Sequence, residues 1–294
     1  MKLAVVTVNY NSTDYLVRCL DSVLARTREI DVAVVVVDNA SDDQSFDHVR
    51  SAFPNVSFIL NRENLGFATG CNQGIRALEA DFYLLLNPDC VIQDAALDRS
   101  AQFLSSHPDV GVLGCRVNNP DGTLQRACRR RIPRPSVAFY RFTGLSTLFP
   151  HSPRFGAYNL GHEDANGIHE VEAVSGSFLM FRRELIETVG YLDETFFMYG
   201  EDLDFCYRSV QAGWKIYYYP EAEVTHFKRA SSSRRPRESN FHFYNAMRLF
   251  YRKHFYAGAG PIEHALVLGG IQTLYLASRL RLLLSGSRAV GSSG

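Results

Sequence analysis

The sequence carries no surplus of either charge: 31 Lys and Arg offset 31 Asp and Glu over 294 residues. A nucleic-acid binder driven by electrostatics needs a basic excess, so that class is excluded. No two of the six cysteines stand in CxxC spacing, which removes zinc knuckles and dithiol redox motifs. No run of about 20 apolar residues occurs, so no helix is expected to span a membrane. The opening Met1-Lys2-Leu3-Ala4-Val5-Val6 is too short for the apolar part of a signal peptide, and Asn9 and Asn11 keep the apolar run from extending. Neither a GxGxxG dinucleotide pattern nor a Gly-Lys-Ser/Thr phosphate loop is present, and no internal repeat is visible.

The residues that are present make an ordinary globular chain, 46% hydrophobic and 21% charged. A chain of this length can bury roughly 75% of its unfolded surface, as one large domain or two smaller ones. Cys19, Cys71, Cys90, Cys115, Cys128 and Cys206 are scattered along expected core elements and read as reduced thiols of a cytoplasmic protein. The final Gly291-Ser292-Ser293-Gly294 reads as an appended expression remnant.

The first half alternates strand and helix signals. Strands are expected at 3–8, 32–37, 56–60, 82–86 and 110–113, with helices at 14–25, near 45–53, within 66–78 and at 95–104. The Val-rich run at 32–37 is the mark of a strand covered on both faces. This alternation predicts an α/β fold with a doubly wound, mainly parallel sheet, whose ligands sit at the carboxyl ends of the strands. In the second half, 128–135 is basic and contains proline, so a loop is expected. Strands are expected next at 171–174, 178–181 and 215–219, the last ending at Pro220, with a helix over 202–211 stopped by Gly213. A cationic loop at 228–237 precedes two closing helices, at 239–254 and 261–284.

Several polar residues fall where such a sheet presents ligands. Asp38 ends the Val-rich strand, and Asn87-Pro88-Asp89 ends Tyr83-Leu84-Leu85-Leu86. Either alone could simply start a turn. Two on the expected ligand edge favour binding. The segment 64–74 brings three glycines to a helix start, where free backbone N–H groups can meet a phosphate. Gly200-Glu201-Asp202-Leu203-Asp204-Phe205 places three carboxylates at a helix N-terminus. They either complement the helix dipole or hold a general base in place. His226 comes after a strand-like segment. A lone histidine is more often structural, yet Asp89 with His226 makes a reasonable oxygen–nitrogen pair for Mn²⁺ or Mg²⁺.

Taken in order, Val8-Asn9-Tyr10-Asn11, Val37-Asp38-Asn39-Ala40-Ser41, Asn64-Leu65-Gly66-Phe67, Leu86-Asn87-Pro88-Asp89, Gly200-Glu201-Asp202-Leu203-Asp204-Phe205 and His226 resemble the family 2 inverting glycosyltransferases of the GT-A fold. Within that family the chain is most similar to bacterial rhamnosyltransferases of cell-wall and O-antigen assembly, over about residues 3–255. The resemblance implies a nucleotide-sugar-binding half at 1–115, an acceptor half at 116–255 and a C-terminal helical segment at 256–290. It implies that Val8 and Tyr10 cradle the base, that Asp38 binds base or ribose, and that Gly66 and Asn72 lie along the nucleotide-sugar cleft. Asn87 and Glu201 join the substrate-contacting set, and Lys228 and Arg229 close over the phosphates. Asp89 matches the last carboxylate of the family's DxD metal motif, whose first position is here Asn87; His226 matches a late histidine that completes the metal site. Asp202 matches the catalytic base, with Asp204 or Glu201 next in line.

The implied reaction is direct displacement with inversion, moving L-rhamnose from dTDP-L-rhamnose to a hydroxyl of a glycan or polyprenyl-diphosphate-linked acceptor. Another nucleotide sugar, such as a UDP-hexose or UDP-galactofuranose, is the alternative donor. An inactive sugar-nucleotide-binding scaffold is the alternative of another class. A nucleotidyltransferase would want a Gly-rich loop with Arg and Lys after the first strand, where this chain has Asn9-Tyr10-Asn11-Ser12. In the last helix only fourteen uncharged residues separate His264 from Arg279, too few to span a bilayer. Val267, Leu268, Ile271, Leu274, Tyr275 and Leu282 share a helical face, with Arg279, Arg281 and Arg288 beside it. That face is expected either to lie on the inner surface of the plasma membrane or to dock on the catalytic domain or a second subunit of a homodimer.

Overall fold

In the computed structural model, residues 1–42, 46–227 and 236–290 are described. The chain order is β1 (Lys2–Asn9), α1 (Thr13–Arg26), β2 (Asp31–Asp38), α2 (Phe46–Ala52), β3 (Ser57–Leu60), α3 (Phe67–Ala77), β4 (Phe82–Leu86), β5 (Cys90–Ile92), α4 (Ala96–Ser106) and β6 (Val110–Asn118). Then come β7 (Arg129–Arg130), α5 (Pro135–Phe142), α6 (Leu145–Leu148), β8 (His169–Val171), β9 (Ala173–Val174), β10 (Phe178–Arg182), α7 (Arg183–Val189), α8 (Glu201–Gln211), β11 (Lys215–His226), α9 (Pro236–His254) and α10 (Pro261–Val290).

A nine-stranded sheet runs β3-β2-β1-β4-β10-β6-β11-β5, with β8 also on β11. Strands β1, β2, β3, β4, β6 and β11 point one way; β5, β8 and β10 point the other. The sheet is thus mixed and mainly parallel, as the alternating pattern predicts. Every residue of β4 and β10 is buried, because helices cover both faces there. Tyr83 on β4 stacks on Phe181 of β10 at 5.5 Å, and Phe181 meets Phe205 of α8 edge-on at 5.1 Å.

The glycines of 64–74 serve packing more than phosphate approach. Gly70 and Gly74 lie one helical turn apart on α3, against Val8 and Val6 of β1; a Cβ on Gly74 would stand 2.3 Å from Val6. Gly66 differs. Its φ of +90° and its approach to the Phe197 carbonyl leave no room for a side chain, so it joins the head of α3 to the 197–200 segment.

The structure differs from the sequence pattern at four places, three of them in the second half. The strand expected to stop at Pro220 continues to His226: Pro220 sits in a register shift between Tyr219 and Glu223, where its missing N–H costs no ladder bond. Two very short strands have no counterpart in the pattern. β5 pairs Cys90 with His226, and β7, inside the expected basic loop, pairs with β9. The run at 171–174 splits into β8 and β9. Of the placements expected for the face of α10 bearing Ile271 and Tyr275, the structure shows docking on α9: Ile271 is buried, Tyr275 contacts Phe241 and Tyr244, and Ser278 bonds Asn240. The chain's own domain therefore covers the face that could have met a membrane.

Candidate active site

A cleft of about 430 Å³ opens where the chain leaves β1 and β4. Such a volume suits a small ligand. Val8, Tyr10, Gly66, Asn87, Asp89, Glu201, Asp202 and His226 all line it, although they come from segments up to 218 residues apart in the chain. The 175–177 turn and Glu238, Ser239 and His242 of α9 complete the wall.

Two expected contacts lie behind that wall. The Asp38 carboxylate accepts from Asn9 Nδ2 at 2.8 Å, from the Ser41 hydroxyl at 2.6 Å and from the Ser41 N–H at 2.9 Å. It is buried and braces the loop after β2, while its neighbour Asn39 reaches the cleft. Asn39 is in turn held by donating to the Gly66 carbonyl and accepting from Asn61. Asn72 is buried too. Its amide donates to the Leu192 carbonyl and Glu194 and accepts from the Leu192 N–H, fastening α3 to the 192–194 segment. Lys228 and Arg229 lie outside the described residues.

On the cleft wall, Asp89 and His226 meet. The β5–β11 pairing delivers them together, and Asp89 Oδ1 lies 3.1 Å from His226 Nε2. Gln125, which no sequence motif marks, orients the ring. Its amide donates to the His226 carbonyl at 2.8 Å, so its oxygen faces Nδ1 at 3.0 Å and accepts the Nδ1 proton. Nε2 is left facing Asp89, with the Asn87 amide 3.4 Å away. Cys90 is the third potential ligand nearby, since its sulfur and the Asp89 and His226 donor atoms lie within 4.8 Å of one another. Burial and the adjacent Asp89 charge push its thiol well above the usual range, which makes it a poor ligand. A carboxylate oxygen and an oriented imidazole nitrogen fit a divalent cation that accepts both donor types.

Asp202, also on the cleft wall, stands on the first turn of α8. The turn is aimed by Tyr199 and Gly200, both left-handed at φ 68° and 85°. Asp202 Oδ2 accepts from Arg130 at 2.5 Å and from the Gly176 N–H at 3.0 Å; Oδ1 accepts from the Leu203 N–H at 2.8 Å. Arg130 also donates to the Val174 carbonyl across the β7–β9 pair. Burial opposes its charge, but Asp202 outweighs that and holds the guanidinium above its ordinary value. In the sequence Arg130 is hidden in a run of arginines; only the short strand β7 singles it out. Glu201, beside Asp202, is pushed up to about 8 by burial and by the Asp202 charge. Asp204 points away from the cleft. Burial works to raise it, yet bonds from His254 and Lys253, with Arg208, bring it to about 2. Its role is structural.

Residues 2–245 match the model of the "Glycosyltransferase like family 2". The chain is 32% identical over 246 residues to the N-acetylglucosaminyl-diphospho-decaprenol L-rhamnosyltransferase of Mycobacterium tuberculosis, covering 80% of this chain and 78% of that protein. Among solved structures, a Pyrobaculum calidifontis mannosyltransferase in complex with GDP-Man and Mn²⁺ superposes with a TM-score of 0.56 at 18% identity, over 99% of this chain and 75% of that one. A Staphylococcus aureus TarS fragment with UDP-GlcNAc gives 0.55 at 19%, over 92% and 72%. Both are similar in fold. With a family match across most of its length and a relative this similar, the protein belongs to glycosyltransferase family 2 and is a glycosyltransferase of the GT-A fold.

Proposed function

We propose that the protein transfers L-rhamnose from dTDP-L-rhamnose, with inversion, to a hydroxyl of a lipid-linked glycan precursor. The observation that carries this reading is the 32% identity to a rhamnosyltransferase whose name specifies a decaprenol-linked acceptor. The cleft supports it: a carboxylate held for proton removal and a separate carboxylate–imidazole pair line one cavity.

Val8 and Tyr10 would pack on the base, with Asn39 nearer the ribose than Asp38. Asp89 and His226 would hold Mn²⁺ or Mg²⁺, which when bound offsets the negative charge gathering on the leaving diphosphate. Asp202 takes the proton of the acceptor hydroxyl as its oxygen attacks the anomeric carbon from the face opposite the diphosphate. The Gly176 N–H and Arg130 fix the Asp202 carboxylate, so attack needs no rearrangement of the base.

The outer face of α10 favours an acceptor carried in a membrane. Ile262, Leu266, Leu276, Leu280 and Leu284 are exposed on it, with Arg279 and Arg281 alongside. No helix among the described residues is long and apolar enough to cross a bilayer, so contact would be peripheral. Flotation with anionic liposomes tests this: a Leu276→Glu/Leu280→Glu variant should stay in the unbound fraction while the wild type floats. Equal partitioning of the two would end the membrane reading.

The donor is tested by thermal shift against a panel of nucleotide sugars with Mn²⁺ or Mg²⁺. dTDP-L-rhamnose should raise the melting temperature most. A larger shift with a UDP-hexose or UDP-galactofuranose would reassign the donor.

A further inference from the structure

Glu201 and Asp202 are consecutive, both buried, and both on the cleft wall, yet they are treated differently. Asp202 receives three donors: the Arg130 guanidinium and the N–H groups of Gly176 and Leu203. Glu201 Oε2 is buried and has no hydrogen-bond partner among the described residues. A buried polar atom without a partner on the wall of a binding cleft is one that a ligand can satisfy.

We propose that Glu201 holds a proton and donates a hydrogen bond to the carbohydrate bound beside Asp202, and that Arg130 sets this division by meeting the pair's negative charge at Asp202. The inference rests on the glycosyltransferase reading of the cleft and adds the protonation state and role of a second carboxyl.

Two adjacent buried carboxyls facing one cation do not both ionise at low cost. The charge settles where the donors are, which is Asp202. The other groups around Glu201 reinforce this. Asp204 on its own helix is negative and works to raise it, while Cys71 on α3, kept a neutral thiol by burial, brings no cation. Across the cleft, α9 presents Glu238 and His242, and burial keeps that imidazole toward its neutral form. Arg130 is the cation that works to lower Glu201, and it is engaged at Asp202 and the Val174 carbonyl. A neutral carboxyl offers an O–H donor, and a sugar hydroxyl or ring oxygen accepts it. A protonated Glu201 cannot also be the general base, which separates the roles of the two residues.

The test compares Glu201→Gln with Glu201→Ala. Gln keeps the shape and an N–H donor, so kcat/KM at pH 7 should stay within about threefold of wild type, while Ala should fall about tenfold or more, the size of one lost hydrogen bond. The fall in wild-type kcat/KM as pH rises through about 8 should disappear in Glu201→Gln. Infrared difference spectra between wild type and Glu201→Gln at pH 7 give a readout independent of turnover: a protonated-carboxyl C=O stretch should belong to Glu201. Absence of that band, or a Gln variant as impaired as Ala, overturns the proposal. No transfer by the wild type itself, with the band present, would instead fault the substrate reading and leave the protonated carboxyl standing.

Discussion

Two carboxylates on the cleft wall present the same chemistry against different partners. Asp89 faces an imidazole; Asp202 faces a guanidinium. With its Nδ1–H donating to Gln125, the neutral imidazole has a lone pair to give at Nε2, so Asp89 and His226 can turn together onto a metal. The guanidinium has no lone pair and keeps its charge, so Arg130 and Asp202 cannot. The proposed function accordingly assigns metal-dependent donor binding to the Asp89–His226 pair and proton transfer to Asp202.

The largest effect should come from Asp202→Asn, a loss of ~10²–10⁴-fold in transfer. It would leave the Arg130 charge without its partner, so melting temperature must be followed alongside; a stable variant that still transfers near the wild-type rate would place the base elsewhere. Next in size is His226→Ala, which should weaken Mn²⁺-dependent nucleotide binding by about 10²-fold, measured by calorimetry with and without Mn²⁺. If affinity in chelator and in Mn²⁺ were equal for the wild type, the Asp89–His226 pair would hold no metal. Gln125→Leu should cost about 10-fold in Mn²⁺ affinity, because it frees the ring without removing a ligand. An unchanged affinity would reduce Gln125 to packing.

The smallest effect on chemistry should come from Asp204→Asn. A carboxylate held down near 2 stabilises the fold above its ordinary titration range, and that stabilisation disappears as pH falls toward 2. The variant should therefore melt lower at pH 7 and show a flatter decline on acidification, with donor binding unaltered. A variant with an unchanged melting profile would mean that the His254, Lys253 and Arg208 contacts contribute nothing.

The same contrast marks how much of the molecule is legible in the sequence. The parallel half of the sheet is readable because β1, β2 and β4 are apolar runs bounded by helices of clear period. Asp89, Asp202 and His226 stand out as polar residues at the ends of elements. The devices that aim them do not. β5 and β7 are three and two residues long, too short to leave a periodic signal. Pro220 signals a strand end, yet the bulge around it absorbs the missing donor and carries β11 on to His226. Arg130 is one arginine among several. Asp38 and Asn39 become distinguishable only through the loop's hydrogen bonds, which spend Asp38 on Ser41. The helix α10 has apolar residues on opposite sides, so periodicity does not say which side its own domain takes.

The division of labour is tested most directly by titrating dTDP-L-rhamnose in Mn²⁺ into wild type, Asp202→Asn and Asp89→Asn. Expected is wild-type affinity in Asp202→Asn with transfer abolished, and loss of the Mn²⁺-dependent affinity in Asp89→Asn. The reverse pattern, with donor binding lost at Asp202 and kept at Asp89, would contradict the assignment of the two carboxylates.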